Sequence, residues 1–347
     1  MTDDLPTLTA DGLETYLHCP RRYEFAQVHD LEDSDDERPT RGRVDLLRTV
    51  ICDALRRGKT EPRALEATAS DRLSELWRGH DERFHSRAQR RHELAILEAT
   101  LEAYLDRFGA DHAAGIDRLE EAAPDGEFVG PELPLASTRS LPGATEGETN
   151  SNPDRVRIDA PVDYVYGDGA ALVGVRFVPT LAPLGLLRYR SEWEGDVAGL
   201  FVDHFDPDAE AFEPRVVGAL FETAVVLDGL RNLRDDLDLG DRTCRYVRIP
   251  LADRSGTAVN WVQNTVETTL ESIDLTDVYI DHHTYGMTHE HRNETVDSRL
   301  DDVAGDVIAG SFDPSARWDQ IERHACPNCG YTVCCQDYLS TEVRFDG

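Results

Sequence analysis

A ten-residue stretch near the end of the chain, Cys326-Pro-Asn-Cys329-Gly-Tyr-Thr-Val-Cys334-Cys335, constrains the fold more than any other. Cys326 and Cys329 have the spacing of a tight pair in a tetrahedral thiolate site, and Cys334 or Cys335 adds a third sulfur. Structural zinc and iron–sulfur sites take four ligands, so this knuckle is one short. The fourth could be the second of the adjacent pair, although neighbouring residues rarely reach one metal. It could be His324, or a cysteine distant in sequence, for which Cys19 is the good candidate. The chain has seven cysteines. In a cytosolic protein a clustered set indicates metal or redox chemistry more often than disulfides. Cys52 and Cys244 lie among apolar neighbours and read as plain core residues.

The 347 residues, 40 % of them hydrophobic, suffice for one large core and exclude a disordered tail. No apolar run approaches membrane-spanning length, and Met1–Pro6 has no signal-peptide pattern, so a soluble, cytoplasmic protein is expected. The net charge is −32, and the only lysine is Lys59. Sparse lysine with abundant Asp and Glu resembles proteins of salt-loving archaea. Phosphate contacts are local and depend on the salt present, so this balance neither excludes nor argues for nucleic acid.

Residues 9–19 are expected to form a short helix, capped by Thr9, with Leu13, Tyr16 and Leu17 on one face and Pro20 just beyond Cys19. An acidic run at 32–37 reads as a solvated loop. Residues 41–110 look helical, with a core stripe at Leu94, Leu97, Leu101, Tyr104 and Phe108. A loop is expected over 134–155. Val156–Asp159 and Val162–Tyr166 then alternate as strands, and Gly167-Asp168-Gly169 turns the chain into Leu172–Val178, a β-hairpin. Further expectations are helices over 214–231 and 259–273, strands at 246–251 and 278–280, and a final helix over 294–309. This order predicts an α/β fold, a mixed sheet flanked by helices, in one domain with a helical N-terminal part over 9–110, an α/β core over 156–280 and a cysteine-bearing segment over 294–347.

The N-terminal element Tyr16-x-x-Cys19-Pro20-x-x-Tyr23-x-Phe25 resembles the opening of RecB-like nucleases of the PD-(D/E)XK superfamily. Gly310-Ser311-Phe312-Asp313-Pro314 and the cysteine knuckle resemble that family's closing segment. In its iron–sulfur branch, the AddB and CRISPR-associated exonuclease type, one N-terminal cysteine joins three C-terminal ones around a [4Fe–4S] cluster. The resemblance therefore implies Cys19, Cys326, Cys329 and Cys335 as ligands, with Cys334 and Cys335 able to exchange roles. The cluster would staple the first helix to the C-terminal segment and close the domain around a nucleic-acid groove, with binding coupled to folding. Zinc held by local ligands is the alternative.

The same resemblance implies a metal-dependent nuclease site: an Asp, then Asp/Glu-x-Lys on the next strand, holding Mg²⁺ on one edge of a hairpin. Asp163, or alternatively Asp159, takes the first position. The second strand reads Gly174-Val175-Arg176, or one pleat later Arg176-Phe177-Val178, with neither acid nor lysine in either register. Arginine is a poor substitute, since its guanidinium stays protonated and differs in shape. The histidine expected in the N-terminal helix is missing from Gly42–Leu47, and Gln-x3-Tyr of the later helix has become Val217-x3-Phe221. Little or no metal-dependent cleavage is expected, with Asp163 the one residual acid.

The His-rich run 281–291 lacks a helical metal frame and reads as a loop. Arg21-Arg22, Arg56-Arg57 and Arg87–Arg91 could touch phosphates but read as solvated helix faces among acids. No Walker-type glycine loop is present, hence no motor. The implied role is DNA repair or end processing, by binding DNA or supporting a helicase or nuclease partner. An active exonuclease with rearranged ligands and a zinc-knuckle interaction protein are the alternatives.

Overall fold

The computed structural model describes residues 5–31, 39–141 except 59, 155–280 except 191, 241, 261 and 264, and 291–342. The acidic run 32–37, Lys59 and the histidines at 282–289 therefore lie outside the described residues.

Strand β1 (Thr7–Thr9) leads into α1 (Ala10–His18). The Thr9 hydroxyl accepts the Gly12 N–H at 3.0 Å, the N-cap its sequence promised. Pro20 does more than stop this helix, because it occupies the first turn of α2 (Pro20–Tyr23), where a missing N–H costs nothing. The helical part follows as α3 (Pro39–Arg56), α4 (Pro62–Arg78), α5 (Arg87–Tyr104) and α6 (Ala110–Ala122). In the expected stripe Leu97, Leu101 and Tyr104 are buried, while Leu94 and Phe108 pack on the core's edge.

Next come β2 (Val129–Leu133), β3 (Ala136–Ser140), β4 (Arg155–Asp159), β5 (Val162–Asp168) and β6 (Ala171–Val178). The loop expected at 134–155 is thus partly strand. Ala136–Ser140 pairs antiparallel with β4, because the small polar residues there alternate burial as a strand requires. The expected hairpin forms, with β5 antiparallel to β6. Helices α7 (Val197–Phe205) and α8 (Pro214–Asp236) precede β7 (Thr243–Pro250). The short hairpin β8 (Thr257–Asn260) and β9 (Thr265–Thr268) follows, then β10 (Ile273–Asp274), α9 (Leu275–Ile280), α10 (Glu294–Ile308), α11 (Trp318–His324) and α12 (Gln336–Glu342).

Two further expectations are corrected. Residues 259–273 form no helix. The valines fit a helical period, yet Val262 is 97 % exposed, and Val259 pairs with Val266 across the hairpin. The Asn260 side-chain Oδ1 accepts the Val262 and Gln263 N–H groups, an Asx turn that reverses the chain. Residues 278–280 are helical, not extended. Asp274 caps α9 through the Thr276 N–H at 2.9 Å, and the spacing of Leu275, Val278 and Tyr279 is helical.

The main sheet runs β10-β7-β6-β5-β2, mixed, with β6 and β7 parallel; β1-β4-β3 forms a second sheet. Helix α8 is buried on every side over Val216–Arg231, packing between α1 and the sheet. One apolar core joins these layers, and a smaller cluster gathers Ile321, Ala325 and Cys326 with Cys19 and Trp318. The two ends of the chain meet. Tyr23 stacks on Phe312 at 5.8 Å, and the Tyr16 hydroxyl donates to the Ser311 carbonyl at 2.7 Å. Among the described residues no helix is long and apolar enough to cross a membrane.

Candidate functional site

The β5–β6 ladder begins at Tyr164–Val175, and just outside it Asp163 is completely buried. One carboxylate oxygen accepts the Phe177 N–H at 2.5 Å, taking the place of a backbone carbonyl in the ladder. The other accepts from the Arg48 guanidinium of α3 at 2.8 Å. Burial pushes the Asp163 carboxyl up, and Arg48 and the Phe177 N–H hold against that. Both oxygens are therefore committed to protein donors. Asp159, the alternative, is half-buried and pairs with Arg157 at 2.7 Å in the second sheet, away from this hairpin.

Position 174 faces apolar carbon. A side chain there would start 3.3 Å from Leu230, against the wall of α8. Arg176 reaches Glu222 of α8 at 2.5 Å and Asp11 of α1 at 2.9 Å. Glu222 also takes Arg248 at 2.8 Å and the Tyr246 hydroxyl. Burial raises the Glu222 pKa, but Arg176 and Arg248 outweigh it and keep the carboxyl below its ordinary range. Val217 and Phe221 are fully buried. Asp163 and Glu222 are thus each tied to arginine.

Residues 7–174 match the PD-(D/E)XK nuclease superfamily. The match spans just under half of the 347 residues and ends on Gly174, inside the hairpin. No curated protein matches the chain. Together with the mixed sheet and its flanking helices, the match gives this protein a PD-(D/E)XK nuclease-like α/β fold. Arg48 of α3 thus lies directly beside Asp163, and Arg176 of β6, two residues after Gly174, is held by Glu222 and Asp11.

A second assembly lies at the meeting of the chain ends. Cys19, Cys326, Cys329 and Cys335 line one apolar hollow with Phe25, Trp318 and Tyr338. Cys334 is exposed, and its thiol turns to the Tyr331 carbonyl at 3.3 Å. Cys326-Pro-Asn forms a single tight turn, closed by the Cys329 N–H on the Cys326 carbonyl at 3.1 Å. Cys19 sits at the N-terminus of α2, and the Arg21 and Arg22 N–H groups point at its sulfur. Burial pushes the Cys19 thiol up to about 11 and Cys326 to about 12, and the neighbouring sulfurs add to both. Among the described residues no group of three or more His, Cys, Asp or Glu side chains is placed to hold a single metal ion. Trp318 lines the hollow, and its indole N–H is buried without an acceptor among the described residues. Arg21 pairs with Asp337 at 2.8 Å, and the Tyr331 hydroxyl donates to the Leu31 carbonyl at 2.7 Å, holding the two ends together around it.

Sequence reasoning missed Arg48 and Glu222. A carboxylate within the apolar run 216–231 was the available signal for Glu222, since such a group must find buried partners. Nothing local marked Arg48, whose partner lies 115 residues away.

Buried histidines shape the acid response of the fold, His112 and His204 most strongly, with His18 pushed down to about 4 in the same sense. Burial pushes His112 and His204 each down to about 3, with Arg317 adding to the effect on His204. Their unfolded value is about 6.5. Between these values the unfolded chain binds protons that the folded one refuses. Their contribution is whole above pH 6.5 and is lost as the pH falls, by up to about 1.4 kcal/mol per unit for each. Glu14, pushed up to about 7 chiefly by burial, works in the opposite sense, but 35 % of its side chain is exposed and solvent screens it. The denaturant midpoint is expected to drop between pH 7 and pH 5, less steeply in His112→Gln. An equal drop in that variant would remove His112 from this account.

Proposed function

We propose that this chain is a nuclease-superfamily protein that no longer cuts, and that it acts in DNA repair or end processing by binding DNA or supporting a helicase or nuclease partner. The observation that carries the reading is the capture of Asp163 by Arg48 and the Phe177 N–H. A catalytic acid must offer an oxygen to Mg²⁺, and here both oxygens already accept from protein donors, with the Arg48 cation where a second positive charge would be repelled. The alternative, an active exonuclease with rearranged ligands, needs another acid beside it. Glu222 is the nearest in kind, and Arg176 and Arg248 already neutralise it.

We further propose a [4Fe–4S] cluster held by Cys19, Cys326, Cys329 and Cys335. An all-sulfur donor set suits iron–sulfur or zinc. The four cysteines line one hollow that joins the N-terminal and C-terminal segments, as a four-thiolate staple requires, and the unpartnered Trp318 N–H on a residue lining it offers a donor to cluster or ligand sulfur. Cys334, turned outward, is left out of the set. When bound, the cluster supplies four thiolate bonds between the chain's ends and requires no redox role.

The test is a cleavage assay on single- and double-stranded DNA ends with Mg²⁺ or Mn²⁺ at high salt, which suits the acidic surface. No cleavage is expected, alongside salt-dependent DNA binding. Cleavage abolished by Asp163→Ala would overturn the reading. Absence of DNA binding at every salt concentration would favour a zinc-knuckle interaction protein.

A further inference from the structure

A cavity of about 380 Å³ opens at the turn end of the β5–β6 hairpin, bordered by Arg107, His112, Arg118 and Tyr166. It is separate from Asp163, which lies at the other end of β5. Helix α6 can approach the hairpin there because residue 115 is glycine. A side chain would start 2.8 Å from the Gly167 carbonyl oxygen.

His112 forms the floor, only 5 % exposed, its ring 4.2 Å from Tyr166. Its tautomer follows from its partners. Nδ1 lies 2.7 Å from the Tyr164 hydroxyl and 3.3 Å from that of Tyr104, and the two hydroxyls are 3.1 Å apart. If Nδ1 carried the proton, one buried tyrosine O–H would have no acceptor. With Nδ1 bare, Tyr164 donates to it, Tyr104 donates to Tyr164, and every buried proton is placed. The imidazole proton is then on Nε2, which has no protein partner among the described residues and belongs to a ring bordering the cavity.

The flanking arginines have the same character. Arg107 donates to the Leu270 carbonyl and Arg118 to the Gly167 carbonyl at 2.9 Å. Among the described residues neither has a carboxylate within ion-pair distance, in a chain where acids outnumber bases 68 to 36. Of the two acids on the rim, Asp168 is engaged by Arg245 at 3.3 Å and Asp111 is exposed. Two guanidinium groups, that of Arg107 held over the Phe108 ring at 5.2 Å, and a fixed N–H donor, all on residues lining one cavity, have the chemistry of a receptor for a compact oxyanion.

We propose that this cavity binds a phosphoryl group through His112 Nε2–H, Arg107 and Arg118. The ligand is a phosphorylated strand end or a small phosphate monoester, which share this chemistry. The site does not depend on the cutting or non-cutting reading of the hairpin's other end.

The full chain is titrated with inorganic phosphate, followed by ³¹P line broadening, and with matched 5′-phosphorylated and 5′-hydroxyl single strands, followed by anisotropy at fixed salt. Broadening by the native protein is expected, lost in Arg107→Gln/Arg118→Gln, whose exposed side chains leave the fold intact. A preference of about tenfold or more for the phosphorylated strand, abolished in the same variant, assigns the site to strand ends. Broadening without that preference assigns it to a small phosphate monoester. If phosphate gives no broadening and the two strands bind alike, or if the variant changes neither readout, the proposal falls.

Discussion

Replacing Arg48 with methionine is expected to destabilise the protein by about 3–5 kcal/mol, because it leaves the fully buried Asp163 carboxylate without its cation. The measurement is a denaturant titration at high salt, where surface ion pairs are screened and this buried one is not. The double variant Arg48→Met/Asp163→Leu should recover much of the loss, since a buried pair exchanged for apolar groups of similar volume is often neutral or better. The Phe177 N–H, deprived of its acceptor, keeps the recovery incomplete. An active site would behave differently. There the arginine would be a removable obstruction, and its loss would cost little stability and expose a metal-binding acid. An Arg48→Met protein that is unchanged in stability and acquires Mg²⁺-dependent cleavage would sink the structural role of Asp163.

The second large effect is expected from Cys19→Ser. Native protein purified without oxygen should carry about four irons with matching sulfide per chain, and the variant only a small fraction. Because metal binding of this kind contributes directly to folding, residues 318–342 should also become sensitive to limited proteolysis. Cys334→Ser should retain the full complement, since that thiol faces outward. Zinc near one per chain, indifferent to Cys19, would reduce the C-terminus to a local knuckle and remove the long-range staple.

What the sequence disclosed was mostly what repeats with a period or sits in a short motif. The cap at Thr9, the stripe on α5, the β5–β6 hairpin and α10 are local signals, and each forms where its residues indicate. Residues 259–273 misled because valines three and four apart fit either state, and only the Asn260 turn decides between them. The Cys19 pocket was suggested by a motif at each end of the chain, and the structure puts those ends together. The polar contacts behind the hairpin were not legible. Arg48, Glu222 and Arg248 gain their meaning from partners on other elements, and sequence spacing carries no record of them.

The clasp of Tyr16 and Tyr23 on Ser311 and Phe312 also bears on how the chain is made. The two sides of the Tyr16 hydrogen bond are 295 residues apart. At about 5–20 residues per second, helix α1 waits roughly 15–60 s on the ribosome before that partner emerges. Its other main support, α8, arrives before then but still some two hundred residues after α1 itself. Until α8 emerges, Leu13, Tyr16 and Leu17, all buried at the end, have only local neighbours such as Tyr23 to rest on. The helix that anchors the finished molecule is thus, during synthesis, an apolar surface waiting for its main partners and a natural target for a chaperone.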